Sequence, residues 1–283
     1  MLAAKLYGKE DLRLVECPVP DIQEDEILLR VKAAAVCGTD LRMIQNGSKG
    51  IDEQSPRTLG HEISGIIEKK GSMVKGYEVG MHICVAPNMG CGVCDHCVEG
   101  NTHLCPQYQA FGINIDGGFA EYVRIPGKAV SQGNLMILDD SVSFSEAALL
   151  EPMSCVLNGQ SRLKMNLNDL VLIVGAGPIG MMHALLARAR GASRIYIRDL
   201  AEERMQQCAE VCAEFYSGIR GKYSKKEIMK LTDNKGIDVC IVACPSGSST
   251  RGSHWKLMSM NGRVTLFWGT CLREKTRCCS PAI

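Results

Sequence analysis

Aromatic side chains are scarce in this sequence: Trp 2, Phe 5 and Tyr 7 make up 5% of 283 residues. A surface that stacks unpaired bases needs more of them, which argues against that class of protein. Charge of one sign is lacking too. Lys+Arg at 32 against Asp+Glu at 31 leaves +1, a balance that calls for no nucleic acid, acidic membrane or polyanion. No apolar run reads as a membrane span. The longest, residues 170–187, contains Gly175, Gly177, Pro178, Gly180 and His183, and no second run accompanies it. A strand, a glycine turn and a helix explain it better. Lys5, Lys9 and acidic residues stand too early for a secretory leader, so a cytoplasmic protein is expected. Repeats and low-complexity tracts are also missing. What remains, 46% hydrophobic and 22% charged, excludes a disordered chain, and the length suggests two domains.

Two residue types are plentiful. Glycine, 29 in all, is dispersed as in a chain with many turns, and cysteine reaches 15. In a long chain without a leader, cysteines point to metal, catalysis or small buried hydrophobes rather than a disulfide framework. Up to about residue 130, short apolar runs alternate with Gly and Pro: LRLVE, EILLRVKAAAV, ISGIIEKK, HICVAP and AEYVRIP. Such runs read as strands of a barrel-like or sandwich-like domain. SFSEAALLEPMSCVLNGQSRL reads as helical, with Ser143 or Ser145 as N-cap. After Asn168 strands and helices alternate: VLIVG, PIGMMHALLARARGA, RIYIRD, EERMQQCAEVCAEF, KKEIMKL, IDVCIVA and GRVTLF, with a weak strand near AEFY. That rhythm implies a parallel sheet covered on both faces.

Cys91, Cys94, Cys97 and Cys105 are spaced C-x2-C-x2-C-x7-C. Thiolates at this spacing can grip one zinc from a tight turn, and four of them leave no open position, so the site is structural. Gly90, Gly92 and Gly100 would let the backbone turn. Two disulfides or four unrelated cysteines are the alternative. His96 and His103 lie inside this loop and read as surface residues. No basic helix follows, which argues against a nucleic-acid finger. Cys37, His61, Glu62 and Glu151 are weak candidates singly, since a lone cysteine is most often core and such a glutamate most often exposed. Together they offer a thiolate, an imidazole and carboxylates, a set that leaves zinc a position for water or substrate.

Gly175, Gly177 and Gly180 in VLIVGAGPIG fall between a strand and a helix that Pro178 and Ile179 open. The first glycine permits the tight turn, the second admits a pyrophosphate, and the third packs helix on strand. Asp199 ends the next strand, at the spacing that suits a carboxylate on the adenosine ribose. A glycine-rich turn in an ordinary sheet is the alternative. Asp199 favours NAD over NADP. A carboxylate about 4 Å from a 2′-phosphate meets a repulsion of about 4 kcal/mol per unit charge at an effective dielectric near 20. Arg198 and Arg204 could blunt it. Cys208 with Cys212, Cys240 with Cys244, and the scattered methionines read as packing, His183 as core or helix surface, and Cys278 with Cys279 as oxidation-prone.

VCGTD, GHEISG, the four-cysteine loop, DGGFAEYV, LLEP and VGAGPIG occur in this order, and with them residues 1 to about 268 resemble the zinc-dependent medium-chain alcohol dehydrogenases. The sorbitol and threonine dehydrogenase branch is the most similar. The resemblance implies an α/β chain with a GroES-like β-barrel catalytic domain at 1–152, carrying a structural-zinc lobe at about 88–107. A Rossmann doubly wound parallel sheet would occupy 153–283. It implies a catalytic zinc on Cys37, His61 and Glu151, with Glu62 as a direct or exchanging ligand. Asp40 would orient His61, and Thr39 would bond the substrate hydroxyl and start a proton relay. Gly175, Gly177, Pro178, Ile179, Gly180, Asp199 and Arg204 would hold the dinucleotide. The reaction implied is hydride transfer from a secondary alcohol, a polyol above all, to NAD. An L-threonine 3-dehydrogenase-like activity is the alternative within the same chemistry.

Two positions depart from the pattern. Arg42 stands where relatives often carry a histidine that passes the proton on, and arginine is no base at neutral pH. Gly80-Met81 replaces a usual Gly-Asp turn. The ending also differs. From Arg251 onward there are six Lys/Arg against one Asp/Glu, and no strand follows GRVTLFWG. The expectation is a sheet short of its last strand and of the C-terminal return. A catalytically impaired zinc- and dinucleotide-binding protein is then the rival reading. A small-molecule alcohol is the expected partner, with no nucleic acid and no membrane, and a homo-oligomer where the sheet is complete.

Overall fold

The computed structural model describes residues 1–211, 216–220, 225–244 and 258–266, with the backbone alone for 216–220, 225 and 258–266. Expectations for Cys212, residues 213–215 of the weak strand, Phe267, Cys278, Cys279 and the charged tail lie outside these residues. Contacts divide the chain into two compact units, the first ending at Glu151 and the second beginning at Pro152.

The first unit is built mainly from short strands. They are β1 (Leu2–Gly8), β2 (Asp11–Glu16), β3 (Ile27–Ala35), β4 (Arg57–Thr58), β5 (Glu62–Lys70), β6 (His82–Val85), β7 (Asn88–Met89), β8 (Gln109–Ala110), β9 (Tyr122–Ile125) and β10 (Leu135–Ile137). Helices α1 (Gly38–Asn46), α2 (Asp95–Val98), α3 (Gly127–Ser131) and α4 (Phe144–Ala148) lie between or after them. The sheets run β2-β1-β4, β10-β6-β5-β3-β9 and β7-β8, with antiparallel pairing throughout. Alternation sets the core: Ile27 and Leu29 of β3, Ile63 and Ile67 of β5, Ile83 and Val85 of β6, and Val123 and Ile125 of β9 bury one face together. Strand β1, which lies ahead of the apolar runs that read as strands in the sequence, buries Ala3 and Leu6. Helix α4 starts at Ser143, whose hydroxyl accepts the Glu146 N–H while the Glu146 carboxylate accepts the Ser143 N–H, a reciprocal cap. Helix α5 (Leu150–Arg162) continues the expected helical stretch.

The second unit alternates β11 (Leu170–Val174), α6 (Pro178–Ala189), β12 (Arg194–Asp199), α7 (Glu202–Val211), β13 (Tyr216–Arg220), α8 (Lys225–Leu231), β14 (Ile237–Val242) and β15 (Met258–Leu266). The sheet order is β13-β12-β11-β14-β15, all parallel. Val171 and Ile173 of β11 pack with Ala184 and Ala187 of α6 and Met205 and Cys208 of α7. Leu170, Leu172 and Val174 pack on the other face with Ile228 of α8 and Cys240 and Val242 of β14. Both faces are therefore covered, and β11 is buried along its whole length. His183 is core, with the Gln160 amide 3.1 Å from its Nδ1 and 2.7 Å from its carbonyl oxygen. No helix among the described residues is long and apolar enough to cross a membrane.

Candidate active site and metal centres

Strand β3 delivers the chain to Cys37, which stands as N-cap of α1 with extended backbone. The first turns of α1 then present Thr39, Asp40 and Arg42. Strand β5 begins one residue after His61, and Gly60 before it has φ +90. A Cβ at Gly60 would meet the Phe119 ring at 2.5 Å, and one at Gly117 would run into the Gly60 carbonyl oxygen. The DGGF segment is thus pressed against the turn that aims His61. Gly117, Gly118 and Phe119 donate their N–H groups to the carbonyls of Thr58, Gly60 and Leu59 at 2.8, 2.9 and 2.9 Å. Asp116 takes the Thr58 N–H at 2.9 Å. The sequence marked this motif only as part of a pattern. Its packing role depends on a long-range contact that no local spacing reveals.

Ligand atoms of Cys37, His61 and Glu62 all lie within 4.8 Å of one another. Glu151 is buried but outside that trio, close enough for its charge to act on Glu62. Burial, then Glu151, raise the Glu62 pKa. Asp40, fully buried, links the group. Its carboxylate accepts the Cys37 N–H at 2.8 Å and the Gly60 N–H at 3.3 Å, and stands 3.6 Å from His61 Nδ1. That last distance exceeds a hydrogen bond. Burial alone would lower the His61 pKa, but Asp40 and Cys37 outweigh it and lift it to about 10. Both His61 ring nitrogens are buried with no hydrogen-bond partner. A buried orphan nitrogen is costly, and an ion held by thiolate, imidazole and carboxylate would satisfy it. The donor set therefore fits zinc. Thr39 Oγ1 accepts a hydrogen bond from Arg42 at 3.0 Å, a contact three residues apart on one helix face.

The four-cysteine loop closes on itself between β7 and β8. Sγ atoms of Cys91, Cys94, Cys97 and Cys105 all lie within 4.8 Å, and none is in a disulfide. Cys94 and Cys97 sulfurs are 3.5 Å apart, and Cys91 and Cys97 sulfurs 4.0 Å. Tetrahedral zinc with Zn–S near 2.3 Å would set sulfurs about 3.8 Å apart, so the loop fits the ion. Backbone N–H groups of Val93 and Cys94 pull the Cys91 pKa down, whereas at Cys94 the Cys97 N–H is outweighed by burial and the neighbouring sulfurs, which push its pKa up. Gly92 and Gly100 have φ +83 and +78, whereas a Cβ at Gly90 would strike Cys97 Sγ. Asn134 donates to the carbonyls of Ala86 and Asn88, and Gln132 to that of Gly90, anchoring the lobe.

In the second unit Gly175 ends β11 at φ +113, which favours glycine. Gly177 caps α6, Pro178 follows in its first turn, and a Cβ at Gly177 meets nothing within 4 Å. A Cβ at Gly180 would collide with the Gly175 carbonyl oxygen. The open side at Gly177, facing the positive end of a helix of 12 residues, fits an approaching pyrophosphate. Asp199 Oδ2 accepts the Ala176 N–H at 2.8 Å, and Oδ1 accepts those of Leu200 and Ala201 at 2.7 and 3.0 Å. Burial pushes its pKa up, but these N–H groups and Arg204, 3.8 Å away, bring the net below the ordinary value. Asp199 thus staples the glycine turn to the start of the next helix, a role its sequence spacing did not announce.

Residues 23–134 match the alcohol dehydrogenase GroES-like domain family. A sorbitol dehydrogenase of Bacillus subtilis is 35% identical over 84% of this chain and 67% of its own length. An L-threonine 3-dehydrogenase of the same organism is 31% identical over 88% and 70%. Among solved structures, alcohol dehydrogenase TADH from Thermus sp. ATN1 superposes with a TM-score of 0.83 at 26% identity, covering 94% of this chain and 77% of that one. With barrel-type and doubly wound units following each other in the same order, this chain belongs to the zinc-dependent medium-chain alcohol dehydrogenases, in the branch of the sorbitol and threonine dehydrogenases.

Proposed function

We propose that this protein oxidises a secondary alcohol, a polyol above all, with NAD as hydride acceptor. The observation that carries the reading is His61, buried beside Cys37 and Glu62 with neither ring nitrogen hydrogen-bonded. Cys37, His61 and a carboxylate would hold a catalytic zinc. Glu62 stands in the trio, and Glu151 is the carboxylate that the family pattern implies. Cys91, Cys94, Cys97 and Cys105 would hold a second, structural ion. Zinc would supply Lewis acidity at the substrate hydroxyl, and the nicotinamide would supply the hydride acceptor.

The chain's own groups do the rest. Asp40 fixes the backbone on both sides of the trio through Cys37 and Gly60. Thr39 Oγ1 receives the substrate's hydroxyl proton into a hydrogen bond. Arg42, bonded to that same oxygen, occupies one of its two acceptor positions and leaves the other for substrate. Solvent receives the proton, since arginine cannot. Gly175, Gly177 and Gly180 seat the pyrophosphate at the start of α6, with Pro178 and Ile179 in its first turn. Asp199 would face the adenosine ribose, where its charge would support NAD over NADP, and Arg204 beside it would temper that preference.

An L-threonine 3-dehydrogenase-like activity has support from the 31% identical relative. The test is NADH formation from a panel of polyols and L-threonine, with zinc counted per chain in the wild type and in Cys37→Ser. Polyol-dependent NADH that vanishes in the variant with the loss of one zinc supports the reading. Full turnover by Cys37→Ser sinks it.

A further inference from the structure

Arg42 is exposed, yet its guanidinium donates to Thr39 Oγ1 at 3.0 Å instead of extending into solvent. Thr39 is its only side-chain partner among the described residues, and no carboxylate pairs with it. Several other exposed arginines lie beside acids: Arg13 with Asp11 and Glu53, Arg124 with Glu26, and Arg204 with Asp199. One hydrogen bond uses one of five N–H donors, so most of the planar fork is unfilled. That fork matches the two oxygens of a carboxylate or a phosphate. A neutral polyol has no group that needs it, whereas a polyol phosphate or a polyol acid, still a secondary alcohol of the class proposed above, does.

From this geometry we propose that Arg42 is a specificity-determining residue that selects an alcohol bearing an oxyanion within a few bonds of the carbinol carbon. The inference rests on the dehydrogenase reading of Thr39 as the partner of the substrate hydroxyl. Thr39 and Arg42 then form a two-point clamp, hydroxyl at one point and oxyanion at the other. The carbinol carbon loses its hydrogen as hydride to NAD, which becomes NADH. The hydroxyl proton leaves to solvent, the C–O bond becomes a carbonyl, and the oxyanion is unchanged. Carboxylate and phosphate share the chemistry that Arg42 reads.

A matched trio tests it: glycerol, glycerate and glycerol 3-phosphate share a secondary carbinol and differ only in the neighbouring group. With the zinc-loaded wild type and NAD, kcat/KM for glycerate or glycerol 3-phosphate exceeds that for glycerol by about 10- to 100-fold, the size of a charge-assisted pair. Which of the two leads tells carboxylate from phosphate. In Arg42→Gln the ratio of anionic to neutral kcat/KM collapses towards one, mainly through KM, and Arg42→Lys restores part of it. Calorimetry on wild type and variant, with each anionic probe and separately with NAD, gives a second readout. Loss of probe affinity with NAD affinity kept supports the clamp. Loss of NAD affinity with an unaltered probe ratio assigns the cation to the cofactor's phosphates and overturns it. If no alcohol is oxidised, the dehydrogenase reading fails separately, and calorimetry still decides: Arg42-dependent binding of the anions upholds the oxyanion subsite, and equal binding by both proteins removes it.

Discussion

Asp40 is fully buried, and its carboxylate holds the backbone at Cys37 and Gly60 while facing His61. Asparagine keeps one acceptor and replaces the other with a donor, so one of these N–H groups loses its partner. An unsatisfied buried donor costs about 1–3 kcal/mol. Loss of a group that orients a metal ligand typically weakens metal binding about 10- to 100-fold. Asp40→Asn is therefore expected to lower both the denaturation midpoint and zinc affinity, read by a chelator competition. Unchanged competition would show that Asp40 serves the backbone alone. His183 makes a second case at this scale. Burial lowers its pKa to about 4, against an ordinary value of 6.5. Between those values the unfolded chain binds a proton that the folded chain refuses, so stability rises with pH across the window. The contribution is complete above about pH 6.5 and lost as pH falls to about 4, about 3 kcal/mol in all. Unfolding free energies measured from pH 7 to pH 4 should fall further in the wild type than in His183→Gln, and an NMR titration should place the imidazole well below its free value.

At the scale of elements, the strand–turn–helix from β11 to α6 separates folding from binding. Gly180→Ala drives a Cβ into the Gly175 carbonyl, and Gly175→Ala forces φ +113 on a side chain. Both should lower the melting temperature along with dinucleotide affinity. Gly177→Ala adds a methyl into open space, so it should melt near the wild type and still bind NAD weakly by calorimetry. Equal melting losses in all three variants would remove Gly177 from the phosphate site. This element was legible in the sequence because its information is local: an apolar run, three glycines and Pro178 within 11 residues. The four-cysteine loop was legible for the same reason. Helix α1 was not, because VCGTDLRMIQN drew attention as a motif, and its buried face of Asp40 and Met43 carries no strong apolar period. Without that helix the Thr39–Arg42 contact could not be read. The placing of Glu62 in the trio, with Glu151 outside it, depends on how β5 and the start of α5 lie against each other, which no sequence spacing encodes.

In the whole molecule, every side chain assigned here to metal lies in the first unit, and every one assigned to the dinucleotide lies in the second. Defects should therefore sort by kind: Gly177→Ala should keep both metal ions. The two ions should also leave at different rates. Four thiolates would make a closed shell around one, with no coordination position left for an attacking chelator. The other would rest on one thiolate, one imidazole and carboxylates, with a position open to incoming ligands. Brief treatment of the wild type with a chelator should thus release one ion per chain with its activity, and a mercurial reagent should be needed for the second. Cys37→Ser should arrive with one ion that resists the chelator, and Cys97→Ser with one that yields to it. Cys97→Ser should further expose the 91–105 loop to proteolysis, because Gln132 at Gly90, Asn134 at Asn88 and the buried Met89 and Ala110 hold only the base of the lobe. If both ions left together from the wild type, the distinction between a closed and an open centre would fall.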